Sequence, residues 1–202
     1  MRVLVLAADG DPVAEALAGL GLDVVGDGLD AEGLVTVSPG PELAPLAELA
    51  PETWEETIRR GAEEPFFAAQ PWLAAARARG SGCWVAVTSA LGTDPYPFGG
   101  AAGAAAQMLN TLVRVAALEA GPHGVRANAV APGWRPETLP ASLDPELATA
   151  DTPLRRLATA ADVAAAVAWL LSPAAAHVTG EVVRVDGGYT VGTASRPDPR
   201  RE

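Results

Sequence analysis

The chain has 202 residues, of which 49% are hydrophobic, and this length suits one α/β domain with a sizeable buried core. Its formal net charge of −11 argues against nucleic acid and against an anionic membrane surface as partners. The single cysteine, Cys83, excludes an internal disulfide, and with the absence of a signal-peptide pattern it predicts a cytoplasmic protein.

Short apolar runs and a helix-start signal alternate in the first part of the chain. Residues 2–7 predict a buried strand. Asp11 and Pro12 then predict a helix start, because Asp can cap a helix and Pro fits its first turn. Two further short strands are predicted at 22–25 and 33–37.

The middle of the chain is richer in proline and in helical pattern. Residues 39–51 are predicted to be a loop with one helical turn, and residues 52–79 a helix that Pro65 and Pro71 divide or kink. The run CWVAVTS, which begins at Cys83, predicts the next strand, and LGTDPYPFGG after it predicts a loop.

The second half continues the alternation of helix and strand. An Ala-rich helix is predicted at 101–120 and a strand at 125–132, with irregular structure after it. Thr159 is predicted to cap the helix AADVAAAVAWLL, and GEVVRVDGG predicts the last strand and turn. This alternation predicts a parallel sheet covered by helices on both faces. We expect a single domain over residues 1–192 and a polar tail over 193–202.

Three motifs carry a family resemblance. WVAVTSALG includes Ser89, HGVRANAVAPGW joins a strand to a Pro-Gly turn, and TPLRRLATAADVAAAVAWLLSPAAAHVTGEVVRVDGGYTVG runs to the end of the predicted domain. From about Glu52 to Gly192 the chain therefore resembles the short-chain dehydrogenase/reductase family. The resemblance implies a Rossmann-like doubly wound parallel sheet sandwiched by helices, shortened here in its N-terminal half, with Ser89 as the catalytic serine.

The resemblance also implies catalytic tyrosine, lysine and asparagine residues, and this chain lacks all three. The tyrosine position is Ala102, the lysine position is Ala106 and the asparagine position is Gly61. A lysine one helical turn after the tyrosine would face the same site and lower the tyrosine pKa. The chain contains no lysine, so Ser89 is the one catalytic group of the family that remains.

The turn after the first strand predicts that no NAD(P) cofactor binds. The family has a glycine-rich loop there, which lets a pyrophosphate approach the helix N-terminus. Here the turn holds one glycine, Gly10, between Asp9 and Asp11, and carboxylates repel a pyrophosphate. By comparison with the family, a strand and helices that would hold the adenosine are also missing.

Several polar residues near Ser89 are further candidates for the site. Tyr96 is a weak catalytic candidate and Asp94 a ligand-binding one, although an aromatic between two prolines also suits a loop anchor. Trp134, Arg135 and Glu137 follow the Pro-Gly turn, where the resemblance implies substrate contact. Arg135 and Glu137 hold a charged ligand or form a plain surface pair. One cysteine and two distant histidines predict no metal site.

Three functions remain open from the sequence. The leading prediction is an inactive structural or partner subunit of the family. The second is a cofactor-independent enzyme or small-molecule binder that uses the vacated cleft; EEPFF at 63–67 gives some likeness to the haloalcohol dehalogenase branch. The third is an atypical NAD(P)-dependent oxidoreductase.

The predicted helix 101–120 is apolar around most of its circumference, so we expect it to be buried on more than one side. Family members pair this helix and the preceding one across a two-fold axis, as the resemblance implies. The chain is therefore predicted to form a homodimer or homotetramer, or a hetero-oligomer with an active homologue, through 52–79 and 101–120.

Overall fold

A computed structural model of the chain describes residues 1–8 and 10–191. Six parallel strands form one sheet in the order β2-β1-β3-β4-β5-β6. The strands are β1 (Arg2–Leu6), β2 (Asp23–Val25), β3 (Gly33–Val37), β4 (Gly82–Val87), β5 (Val125–Pro132) and β6 (Val182–Val185). The helices are α1 (Pro12–Gly19), α2 (Pro51–Ile58), α3 (Glu64–Arg79), α4 (Gly100–Ala120), α5 (Pro145–Asp151) and α6 (Ala160–Leu171).

Helices cover both faces of the sheet, which confirms the predicted doubly wound fold. On one face α3 and α4 enclose a core around Trp72 and Leu109, and the Trp72 indole donates a hydrogen bond to the Ala31 carbonyl at 2.9 Å. On the other face α1 and α6 pack through residues such as Leu17 and Val167, all fully buried. Burial on both faces explains why the strands read as continuous apolar runs rather than alternating ones.

The structure departs from the predicted elements in two places. The predicted long helix is interrupted by a π-helical turn, Arg59–Glu63, and Pro65 then occupies the first turn of α3. Pro71 lies inside α3 without ending it. The stretch predicted as irregular after β5 contains α5, whose N-terminus is capped by the Asp144 carboxylate, which accepts a hydrogen bond from the Glu146 amide at 2.9 Å.

Helix α4 and the turn after it, Gly100–His123, are long and apolar enough to cross a membrane by length and composition alone. Ten residues of α4 are buried inside the domain, where the helix packs against β5 and the turn after β4. It is thus the core helix of this domain. The predicted tail at 193–202, and the domain boundary at Gly192, lie outside the described residues.

Candidate functional site

The candidate site is a cleft along the carboxyl ends of the central strands. Strand β1 lies between β2 and β3, so the chain reverses its direction across the sheet between β1 and β3. In doubly wound sheets the crevice at such a switch point is the usual place for a ligand. Three adjoining hollows open along this edge, and Ser38 and Pro39 line all of them.

We name the hollows by what lines them. The switch-point cleft, of about 840 Å³, lies beside Ala8, Asp11 and Arg60. The alanine cleft, of about 520 Å³, is lined by Ser89, Ala102 and Ala106, and again by Arg60. The arginine cleft, of about 410 Å³, is lined by Ser89, Trp134, Arg135, Thr138 and Tyr189, with other residues of the strand ends.

Ser89 lies where the alanine and arginine clefts meet. It is the second residue after β4, has an extended conformation with φ −149°, and caps the short turn that follows. Its hydroxyl oxygen accepts a weak hydrogen bond from the Leu91 amide at 3.3 Å. The side chain is half-buried, so its hydroxyl can still reach a molecule in either cleft.

Ala102 and Ala106 face the same cleft as Ser89, one helical turn apart on α4. This placement agrees with the ungapped register on which the resemblance rests. Gly61, at the position of the family's asparagine, lies in the π turn, and a Cβ there would come within 2.8 Å of the Ala105 Cβ. Close packing of the π turn on α4 therefore requires small residues, and the cleft is correspondingly wide.

Three aromatic residues form a cluster beside the arginine cleft. The ring centroids of Tyr96 and Trp134 are 5.3 Å apart, and those of Trp134 and Tyr189 are 6.2 Å apart, both in edge-to-face geometry. Burial raises the pKa of Tyr189, whose side chain lines the cleft. Tyr96 contacts Trp134 without lining any of the three hollows, and half-buried Asp94 does not line them either.

Sequence reasoning missed Tyr189. It had a local signal, because the residue directly follows the turn Asp186-Gly187-Gly188 at the end of the last strand. In the structure the Asp186 carboxylate accepts hydrogen bonds from the backbone amides of Gly188 and Thr190, at 2.9 and 3.0 Å. These bonds fix the turn and hold the Tyr189 ring over the cleft.

Arg135 and Glu137 are not a plain surface pair. The Arg135 side chain is 5% exposed and its Nη1 donates to the Glu137 Oε1 at 2.9 Å. The Glu137 side chain is 28% exposed, so it reaches solvent while its partner does not. The structure thus places a buried positive charge in the wall of the cleft that contains Ser89.

The turn after β1 has the predicted cap. The Asp11 Oδ1 accepts a hydrogen bond from the Val13 amide at 2.8 Å, and Gly10 has φ +71° with open space around it. Arg60 supplies a positive charge to the switch-point cleft, and Glu64 adds a negative one. Among residues 1–8 and 10–191, no cluster of three His, Cys, Asp or Glu side chains is arranged to hold a metal ion.

Comparisons with known proteins place the chain among reductases. The family model described as enoyl-(acyl carrier protein) reductase matches residues 28–190. Galactitol 2-dehydrogenase (L-tagatose-forming) of Cereibacter sphaeroides is 32% identical over 92% of this chain and 82% of its own length. A short-chain dehydrogenase/reductase structure from Burkholderia thailandensis has a TM-score of 0.81 at 25% identity, with coverage of 95% of this chain and 93% of that one.

A further solved structure, ElxO with NADP bound, has a TM-score of 0.82 at 20% identity and covers 95% of this chain and 99% of that chain. The family match over residues 28–190, together with this structure of the same fold, contradicts the prediction that a nicotinamide cofactor is absent, so that prediction is wrong. The reasoning relied on the turn after β1, with its single Gly10 and its capping Asp11. The crevice itself depends on the order of the strands, and the observed order retains the switch point at which the crevice forms.

The leading prediction of an inactive structural or partner subunit is also wrong. The relatives are named as dehydrogenases, and this finding favours the alternative of an atypical oxidoreductase. The prediction treated the loss of the catalytic tyrosine and lysine as the loss of all activity. Ala102 and Ala106 leave the cleft and Ser89 in place.

Proposed function

Because the chain belongs to the short-chain dehydrogenase/reductase family, we propose that it is a nicotinamide-dependent oxidoreductase that interconverts a ketone and a secondary alcohol. The observation that carries the proposal is the continuous cleft along the strand ends, with Ser89 at the meeting of two of its hollows. When bound, the nicotinamide donates or accepts a hydride.

The switch-point cleft suits the phosphate-bearing part of a dinucleotide. It opens beside Asp11 at the start of α1, and the switch point of a doubly wound sheet is a usual place for a ligand. Arg60 lines both this cleft and the alanine cleft, so its guanidinium would hold a phosphate between them. Since Asp11 already occupies the Val13 amide, the start of α1 offers less to a phosphate, and Arg60 is the positive side chain that lines this cleft beside Asp11 and Glu64.

The ribose nearest the adenine would lie beyond the carboxyl end of β2. Exposed Asp27 follows β2 by two residues, where an acidic side chain can accept hydrogen bonds from ribose hydroxyls. Strand β2 has three residues and is the edge of the sheet, so the adenosine has little protein beneath it. Cofactor affinity therefore depends on Arg60 and Asp27.

Ser89 positions the substrate in this proposal. Its hydroxyl donates a hydrogen bond to the reacting oxygen, which gains negative charge as the carbonyl carbon accepts hydride. The space beside Ala102 and Ala106 admits water next to that oxygen. Water in the alanine cleft then supplies the proton that the family takes from a tyrosine.

We also propose that the enzyme works in the cytoplasm as a homo-oligomer. Cys83 is buried and free, and burial raises the pKa of its thiol to about 11, so it stays protonated; a single free cysteine with no disulfide is usual in a reducing compartment.

Ser89→Ala tests the function against Ser81→Ala, an exposed serine at the other end of the same strand. We expect the unaltered protein to oxidise NADH or NADPH with at least one ketone of a broad panel. Loss of the Ser89 hydroxyl should lower kcat/KM about 100-fold, because it removes a donor to the developing charge. Ser81→Ala should stay within about twofold.

Absorbance at 340 nm measures turnover, and fluorescence titration measures cofactor binding. The proposal fails if neither NADH nor NADPH saturates the protein below about 1 mM, a binding free energy of about −4 kcal/mol. It also fails if Ser89→Ala and Ser81→Ala behave alike.

A further inference from the structure

Among the described residues, only one of the three guanidinium nitrogens of Arg135 has a hydrogen-bond partner. Nη1 donates to Glu137, while Nε is buried and has no hydrogen-bond partner among the described residues. Nη2 makes no hydrogen bond within the described part of the chain either. The side chain is only 5% exposed, so water does not solvate most of this charge.

A comparison inside the same molecule shows how unusual this is. Arg126, on β5, also has a partly buried side chain, but its Nη1 and Nη2 donate to the backbone carbonyls of Val178 and Leu170 at 3.1 and 2.7 Å. Arg126 therefore fastens β5 to the segments beside it. A purely structural role for Arg135 would call for similar acceptors, because leaving a buried donor unpaired is unfavourable.

The free atoms of Arg135 share one edge of the planar group. Nε and Nη2 lie side by side and direct two roughly parallel N–H bonds away from the guanidinium, which matches the two oxygens of a carboxylate. Glu137 binds the other end of the group, through Nη1. It thereby orients the guanidinium and offsets part of its charge, and it leaves Nε and Nη2 without an acceptor among the described residues.

Ser89 and Arg135 line the same arginine cleft, of about 410 Å³. Trp134, Leu91 and Tyr189 give this cleft apolar walls, which exclude water and strengthen an ion pair inside it. A substrate here can place its reacting oxygen at Ser89 and an anionic group at Arg135.

We propose that the substrate is an oxo acid, or in the reverse direction a hydroxy acid, whose carboxylate is bound by Arg135. The carbonyl carbon accepts a hydride from the reduced nicotinamide and the carbonyl oxygen accepts a proton from water, which gives the hydroxy acid and the oxidised nicotinamide. The water is left as hydroxide, which takes up a proton from the solvent. The carboxylate is unchanged. The redox step rests on the proposed function, whereas binding of the acid does not.

The test compares acids with their uncharged methyl esters. Benzoylformate and levulinate, each beside its methyl ester, are titrated calorimetrically without cofactor and then assayed with NADH or NADPH. We expect at least one acid to bind about tenfold more tightly than its ester, and to show a similar preference in kcat/KM.

The variants are Arg135→Met, Arg135→Lys and the control Arg77→Met. Exposed Arg77 lies near the end of α3, which leads into the start of β4 and so lies away from the clefts. Arg135→Met should abolish the preference for the acid and Arg77→Met should keep it. Arg135→Lys keeps the charge without the two-nitrogen edge, so it should recover only part of the preference. It also provides a second test if the methionine variant fails to fold.

The outcomes separate this inference from the proposed function. Turnover of the esters with no preference for the acids overturns the inference and leaves the oxidoreductase standing. Acid binding that depends on Arg135, in a protein that binds neither nicotinamide, supports the inference and overturns the oxidoreductase. An acid preference that survives in Arg135→Met, or saturation by neither acid, overturns the inference.

Discussion

Asp27 is an exposed carboxylate just beyond β2, and we expect its charge to discriminate between the two nicotinamide cofactors. A carboxylate at this place accepts hydrogen bonds from the 2′-hydroxyl of NADH and repels the 2′-phosphate of NADPH. We expect NADH to bind about tenfold more tightly than NADPH, a difference of about 1.4 kcal/mol. Fluorescence titration with each cofactor measures the ratio.

Asp27→Ser should bring the two affinities to within about threefold of each other, because the repulsion is lost. Asp23→Ser is the matched control, since Asp23 is also exposed but begins β2 and lies at the opposite end of the strand. Equal affinities in the unaltered protein, or the same change in both variants, would contradict the assignment to Asp27.

At the residue scale, the sequence predicts which residues follow a strand but not how deeply they lie. Ser89 is the second residue after β4 and Arg135 the third after β5, and parallel strands bring such residues to one edge. The burial of Trp134, the neighbour of Arg135, depends on distant partners, since Trp134 packs against Tyr96 from one loop and Tyr189 from another. The spacing of residues along the chain does not predict that aromatic cluster.

At the element scale, α6 begins with a reciprocal capping box. The Thr159 hydroxyl accepts a hydrogen bond from the Asp162 amide at 3.2 Å, and the Asp162 carboxylate accepts one from the Thr159 amide at 2.8 Å. Arg156 also donates to this carboxylate, and hydrogen bonds from Arg156 and Thr159 hold the pKa of Asp162 far below its usual value. The folded protein thus favours the ionised form.

A group whose folded pKa is lowered contributes stability above its unfolded pKa, about 3.9 for Asp, and loses that contribution as the pH falls below it. Asp162→Ala should therefore cost about 1 kcal/mol of unfolding free energy at pH 7, and less at pH 3. Glu15→Ala, in the first turn of α1 but with no hydrogen bond from its side chain among the described residues, should cost under about 0.5 kcal/mol. Urea denaturation between pH 3 and pH 8 gives both values, and a loss for Asp162→Ala that is independent of pH would contradict the argument.

The elements themselves differ in how far the sequence predicts them. The continuous apolar runs predict the observed strands. Asp11-Pro12 predicts the start of α1, and Thr159 predicts the start of α6. The same Asp-Pro pair recurs at Asp144-Pro145, yet α5 was missed because its seven residues show too little apolar periodicity. The π turn depends on packing between Gly61 and Ala105, a contact that spacing does not encode.

For the molecule as a whole, the predicted fold was right and the predicted function was wrong, for one physical reason. The order and direction of the strands create the cleft, and the apolar runs encode them. Losses at single positions, such as Ala102 and Ala106, remove particular groups without closing that cleft. A missing side chain therefore limits which residue can perform a given step. By itself it is not sufficient to predict that no reaction takes place.

The exposed apolar residues of the outer helices predict an assembly of identical chains. Trp54 on α2, Phe67 on α3 and Leu118 on α4 are 41%, 59% and 78% exposed. These helices lie within the segments 52–79 and 101–120, which the sequence predicts to form the interface. Burial of their exposed apolar area between two chains stabilises an interface by roughly 25 cal/mol per Å². Sedimentation equilibrium at micromolar concentration should therefore give a dimer or tetramer of the 20.5 kDa chain.

Leu118→Glu should shift that assembly to monomer, because a charge buried in an apolar interface is strongly unfavourable. Leu147→Glu is the control: Leu147 is also 61% exposed but lies on α5, outside the predicted interface. It should leave the mass unchanged. A monomer of 20.5 kDa in the unaltered protein, or equal dissociation in both variants, would show that the exposed face of α4 serves no self-association.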